Sequence, residues 1–206
     1  MKMNITKDKL LKQKKRYYVI IGFIIIGIIL GIAFPYVLGN DNKELLNNSI
    51  TNYFISIKNN TFDTYSAIKN SSLINIITPI IIWFLGMSII GTVLIIPILI
   101  YKGFILGFSL SSIIYIYGFK GILGGILYIF PNLIISLILY ILLGFYGISF
   151  SIKLFRYLFL KEKIDVNRYM NKYLKILCIS LIGLILLSLY EVYLLPNILK
   201  VFTNIL

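Results

Sequence analysis

Between Gly121 and Ile152 the chain runs 32 residues without a charged side chain. Other runs behave alike: Tyr17–Leu38, Ser71–Tyr101 and Gly103–Phe119 carry no charge, and Ile176–Leu199 carries only Glu191. A helix crossing a bilayer needs about 20 largely apolar residues. Hydrophobic residues make up 59% of the 206 and charged residues 13%, against about 25% charged in a soluble domain. The mean hydropathy is +0.94. A water-soluble globule of this length has no way to hide so much apolar surface. The fold class expected is all-α: a polytopic membrane helical bundle of about five transmembrane helices, at 17–38, 73–101, 103–119, 121–152 and 176–197.

The run 121–152 is too long for one straight span, since at a rise of 1.5 Å per residue it would reach about 48 Å against a core near 30 Å. Pro131 and Asn132 lie inside it. Proline removes a helix hydrogen bond and clashes with the preceding turn. Two readings stand: a helix broken or re-entrant at 131–132, or one tilted helix with a proline kink. The first run, beginning after the basic stretch 1–16, is longer than the 7–15 apolar residues of a signal peptide. It reads as a retained helix.

Orientation follows Lys and Arg in short loops. Seven cations precede Tyr17 and seven lie in the segment 153–175, with Lys102 read as a loop between the second and third spans. The opposite side receives Lys43, Lys58, Lys69, Lys120 and Lys200. A split of 15 against 5 places the N-terminus in the cytoplasm and the tail 198–206 outside. The segment 39–72 is then extracytoplasmic. Its Leu46, Ile50, Tyr53, Phe54 and Ile57 recur at helical spacing. Such a helix lies on the membrane surface, against a partner, or on its own bundle.

Composition excludes much chemistry. With no histidine and one cysteine, Cys178, there is no Ser-His or Cys-His pair, no disulfide and no His or Cys metal site. No phosphate-binding G-x-x-x-x-G-K-[ST] string occurs. No cofactor, no metal site and no enzymatic activity are expected. The net charge of +13 points to anionic lipid headgroups rather than to nucleic acid, because no compact soluble domain exists to hold such a site.

Three glycine pairs stand four residues apart: Gly27 and Gly31, Gly103 and Gly107, Gly121 and Gly125. Small residues at that spacing let membrane helices approach closely. Glu191 is the one acid inside an apolar run. An intramembrane ionisable group is a functional candidate by default, yet five residues before Pro196 it also has an easy route to the interface. A structural role and a partner-coupling role both stay open. Asn132 is either a buried functional polar group or a partner for backbone freed by Pro131.

Several strings occur in a telling order: IIWFLGMSIIG at Ile81–Gly91, PILIYKGFILGFS at Pro97–Ser109, FKG at Phe119–Gly121, FPNL at Phe130–Leu133, GISFSIKL at Gly147–Leu154 and EVYLLP at Glu191–Pro196. Together they resemble the stage II sporulation protein M family of endospore-forming bacteria, from the first span to Pro196. The load of Ile, Lys, Asn and Tyr is similar to that of AT-rich genomes such as those of clostridia. One departure is Ser136-Leu137, where many relatives carry a further proline. The resemblance implies a multi-pass protein of the mother-cell membrane acting in forespore engulfment. It implies a non-enzymatic scaffold holding two peptidoglycan-remodelling partners, stage II sporulation proteins D and P, at the septum. The family is also distantly similar to export-permease membrane domains, so a channel or permease subunit working with an ATPase is the alternative. A polar cavity around Asn132 would favour that alternative.

Overall fold

A computed structural model describes residues 2–129 and 132–203. It is 91% helical, with no strand among the described residues. Five helical stretches are long and apolar enough to cross a membrane: Lys14–Val37, Thr64–Gly86, Gly91–Tyr128, Asn132–Phe159 and Val166–Val201.

The first helix, α1 (Lys2–Val37), leads through a two-residue link into α2 (Asn40–Lys58). The amphipathic segment is thus a helix, and its own chain covers its apolar face. Phe54 and Ile57 are buried against Ile113, Leu195 and Leu199, with Ile50 and Tyr53 packed alongside. Asp63 caps α3 (Thr64–Gly86) by accepting from the backbone N–H groups of Tyr65 at 3.1 Å and Ser66 at 3.2 Å. Bonds from Ser66, and then from Tyr65, hold this exposed carboxyl below the usual carboxylate range.

The chain turns at Met87–Ile90, inside the uncharged run, where the sequence predicted an unbroken span over 73–101. α4 (Gly91–Ile129) then passes straight through Lys102, which is no loop between spans. This corrects both boundaries. The turn needs no charge because the protein satisfies its backbone. Met87 N–H reaches Trp83 O at 3.2 Å, Ser88 N–H reaches Leu85 O at 2.9 Å, and Ser151 Oγ donates to Ile89 O at 3.1 Å.

α4 doubles back at Gly118, whose φ of 58° and ψ of −135° suit glycine alone. The arm 119–129 returns against the arm 91–117: a Cβ on Gly121 would strike Ile113 O at 2.5 Å, and one on Gly125 would strike the Leu110 side chain at 2.8 Å. α5 (Asn132–Phe159) follows. The described part of α4 ends at Ile129, and its reversal at Gly118 is one that the sequence reading did not contain. Pro131 lies outside the described residues.

Asp165 caps α6 (Val166–Leu189), a π-helical turn (Tyr190–Leu194) continues it, and α7 (Leu195–Thr203) ends the described chain. Pro196 has no N–H and its ring presses on the carbonyl four residues back. A wider turn at that place relieves the clash, and Leu195 N–H bonds Tyr190 O across it.

α1 and α4 pack through reciprocal glycines. A Cβ on Gly27 or Gly31 would collide with the carbonyls of Ile100 or Phe104, and one on Gly103 or Gly107 with those of Ile24 or Ile28. Helix backbones touch here, as small residues permit. The main core joins α3, α4, α5 and α6 around Ile82, Ile95, Leu99, Leu143, Tyr173 and Leu184. Tyr173 Oη donates to Ile82 O at 2.9 Å, which satisfies a fully buried phenol.

Candidate functional site

A cavity of about 380 Å³ lies between α3, α4 and α5, toward the end of the bundle that holds Gly118. Tyr53 of α2, Tyr128 and Glu191 roof it. Its polar lining comes from every side: Ser71 and Asn75 from α3, Lys102 and Ser109 from α4, Asn132, Ser136 and Tyr140 from α5.

A line of polar contacts runs through it. Ser71 Oγ donates to Glu191 Oε2 at 2.6 Å. Asn75 Nδ2 lies 3.5 Å from Ser71 Oγ and donates to Ser188 Oγ at 2.8 Å. Tyr140 Oη donates to Asn75 Oδ1 at 3.4 Å, and Lys102 Nζ sits 4.3 Å from the centre of the Tyr140 ring. The π-helical turn aims Glu191 inward. One extra residue in the turn rotates its side chain off the register that α6 would otherwise impose. Tyr53, outside the spans, has its phenol pushed well up by burial, then by Tyr128 and the Glu191 charge. It stays a protonated donor at any physiological pH.

The cavity does not continue through the bundle. One helical turn from Lys102 and Tyr140, toward the Met87–Ile90 turn, Leu99 and Leu143 are at most 1% exposed, beside Ile82 and Leu184 at 0%. That apolar layer is its floor.

Glu191 and Asn132 thus come together in one cavity. The glycine pairs do not: they line helix contacts elsewhere. Lys102, Ser71, Asn75 and Tyr140 are site residues that sequence reasoning missed. Ser71 and Asn75 stand at i, i+4 on one helix face, a visible signal. Lys102 reads as a loop by its charge, although a one-residue reversal such as that at Gly118 needs a backbone conformation that lysine rarely adopts. Among the described residues no three His, Cys, Asp or Glu side chains gather into a metal site.

The family model for stage II sporulation protein M matches residues 20–196. The chain belongs to the stage II sporulation protein M family. The matched stretch takes in α2 to α6, the whole cavity and the π-helical turn. This makes it a multi-pass membrane protein of a sporulation family. Comparison with curated proteins and with solved structures returns no match.

At the opposite end, toward the Met87–Ile90 turn, cations stack on aromatic faces. Lys153 Nζ lies 3.1 Å from the Tyr169 ring centre and Lys172 Nζ 5.1 Å from that of Tyr146. Arg156 pairs with Glu162 at 2.8 Å. These contacts are partly solvated and contribute little stability each.

Proposed function

We propose that this family member is a non-enzymatic membrane scaffold of the forespore-engulfment machinery, holding peptidoglycan-remodelling partners at the septal membrane. Stage II sporulation proteins D and P are the partners the family resemblance implies. The observation that carries the reading is the apolar floor beneath the cavity: a layer of Ile82, Leu99, Leu143 and Leu184 closes it on the side of the Met87–Ile90 turn and leaves it a built outer cap. The cap also has a face to offer. Asp41, Glu44, Asn48 and Asn52 lie along one side of α2 and are all exposed, while the other side is packed on α7 and α4.

Orientation belongs to the same proposal. With Lys102 inside a helix, fourteen cations stand at the end holding the N-terminus and the 153–175 segment, against five at the other. The first end is then cytoplasmic, and α2, Gly118 and α7 face outward. Anionic lipid is the partner of the cytoplasmic cations.

The polar cavity at Asn132 supports a second reading, a permease subunit working with an ATPase. Crosslinking and affinity purification from sporulating cells separate the two. The scaffold reading expects two wall-degrading partners, lost when the α2 face is made Asp41→Lys, Glu44→Lys. Recovery of an ATPase and no wall enzyme would overturn it.

A further inference from the structure

Lys102 is a cation in a membrane-spanning helix. An ionisable group there is costly and normally has a counter-charge. Its ammonium carries three donors, yet among the described residues no hydrogen bond or carboxylate meets it. Among the described residues Lys102 rests only over the Tyr140 ring. The same cavity holds a carboxylate. Among the described residues Glu191 is engaged by Ser71 alone, at 2.6 Å, which leaves most of its lone pairs open.

The two charges are in one cavity but apart. Glu191 is held at the level of Ser71, and Lys102 at the level of Tyr140, whose hydroxyl reaches Asn75. Ser71 and Asn75 are one helical turn apart, about 6 Å along α3. A lone anion drawn to Lys102 would meet repulsion from Glu191. A molecule with an anion at one end and an ammonium at the other satisfies both, with no net charge brought into the membrane.

The mouth indicates the source. Asn70 and Ile74 line the cavity and are exposed, Ile74 to 57%. Ile74 lies on a spanning helix, so the cavity opens sideways toward lipid. Ile105, Leu133 and Leu137 supply apolar wall beside the polar groups.

From these observations we infer that the cavity is a headgroup site for a zwitterionic aminophospholipid, its phosphate on Lys102 and its ammonium on Glu191, its acyl chains leaving past Ile74. The site goes beyond the scaffold reading and does not depend on it.

The test uses the purified full chain in detergent and native mass spectrometry. Four probes are titrated on the unsubstituted protein: phosphatidylethanolamine, phosphatidylglycerol, N-acetylated phosphatidylethanolamine and free phosphoethanolamine. The expected result is tightest binding of phosphatidylethanolamine. Phosphatidylglycerol and the N-acetylated lipid, which lack the ammonium, should bind about tenfold or more weakly, as the loss of a charge-assisted bond requires. Free phosphoethanolamine should also bind more weakly, since it lacks the chains. Equal binding of the first three lipids overturns the proposal. So does free phosphoethanolamine binding as tightly as the lipid, which would make the site one for a soluble zwitterion. In variants whose elution profile stays normal, Lys102→Met should reduce phosphatidylethanolamine binding about tenfold. Glu191→Gln should erase the preference over phosphatidylglycerol. Because the lipid series runs on the native sequence, a misfolded variant does not leave the question open.

Discussion

Ser71 on α3 and Glu191 on the π-helical turn stand 120 residues apart in sequence and share a 2.6 Å hydrogen bond from hydroxyl to carboxylate. That length is the range of a charge-assisted bond. It fastens the outer end of α3 to the turn that ends α6. Ser71→Ala should lower stability by about 1–2 kcal/mol, the usual worth of a hydrogen bond to a charged group discounted for partial exposure. A double-mutant cycle with Glu191→Ala, measured by denaturant unfolding in detergent, should return a coupling of about 1 kcal/mol. Additive effects would mean the two side chains do not act together.

Function separates from stability at the same residue. Glutamine keeps the size and the acceptor for Ser71 and removes the charge. If the charge serves a ligand or partner, Glu191→Gln should leave membrane abundance near normal and reduce engulfment scored by microscopy in a sporulating host. A purely structural Glu191 would instead show abundance and engulfment falling in proportion.

The spans were legible because a bilayer imposes a length and a polarity that no soluble fold shares. Their internal boundaries were not, for a physical reason. The reversal at Met87–Ile90 is built from uncharged residues whose backbone groups bond Trp83, Leu85 and Ser151, so it carries no charge signal. Lys102 does carry charge, and it drew the boundary to itself. The Gly86, Ser88 and Gly91 cluster was the better marker, because glycine and serine interrupt helices. Glu191 and Asn132 stood out as polar residues in apolar runs. That they share a cavity with Ser71, Asn75, Lys102 and Tyr140 depends on how four helices are placed side by side, which no local pattern encodes.

The contact between α1 and α4 admits no side chain at its glycines. At Gly31 and Gly107 a Cβ would collide with the carbonyls of Phe104 and Ile28. Gly22 on the same α1 has nothing within 4 Å of such an atom. Gly31→Ala and Gly107→Ala should each reduce the yield of monodisperse protein by size-exclusion chromatography, with Leu at either site worse. Gly22→Ala should be neutral or slightly stabilising, since alanine favours helix over glycine by about 1 kcal/mol. Three equal outcomes would show that α1 does not lie against α4.

Gly118 makes a separate demand. Its backbone lies at φ 58° and ψ −135°, and nothing lies within 4 Å of an added Cβ. Space is therefore not the constraint; conformation is. Gly118→Ala should cost on the order of 1–3 kcal/mol from backbone strain alone. Gly118→Asn should cost about as much, since asparagine tolerates positive φ in the left-handed helical region and not at a ψ of −135°. Unfolding midpoints of the alanine and asparagine variants that both fall below the native chain check the reversal. An alanine variant as stable as the native chain would mean that α4 runs straight.

Topology gives the last test, because the corrected boundaries change what labelling should find. In a Cys178→Ser background, cysteines placed at Asn60 and at Ser88 report opposite ends of α3. Asn60 follows α2, and Ser88 lies in the turn between α3 and α4. With fourteen cations at the Ser88 end and five at the Asn60 end, the charge rule puts Ser88 in the cytoplasm. An impermeant maleimide added to intact cells should label Asn60→Cys and spare Ser88→Cys until the membrane is opened. Lys102→Cys, inside a helix and against Tyr140, should react slowly from either side, where a loop residue would react fast. Rapid labelling at Lys102→Cys from the cytoplasm would restore the loop and remove the cavity's cation. The inverse pattern at Asn60 and Ser88 would turn the whole bundle over and place the cavity mouth in the inner leaflet.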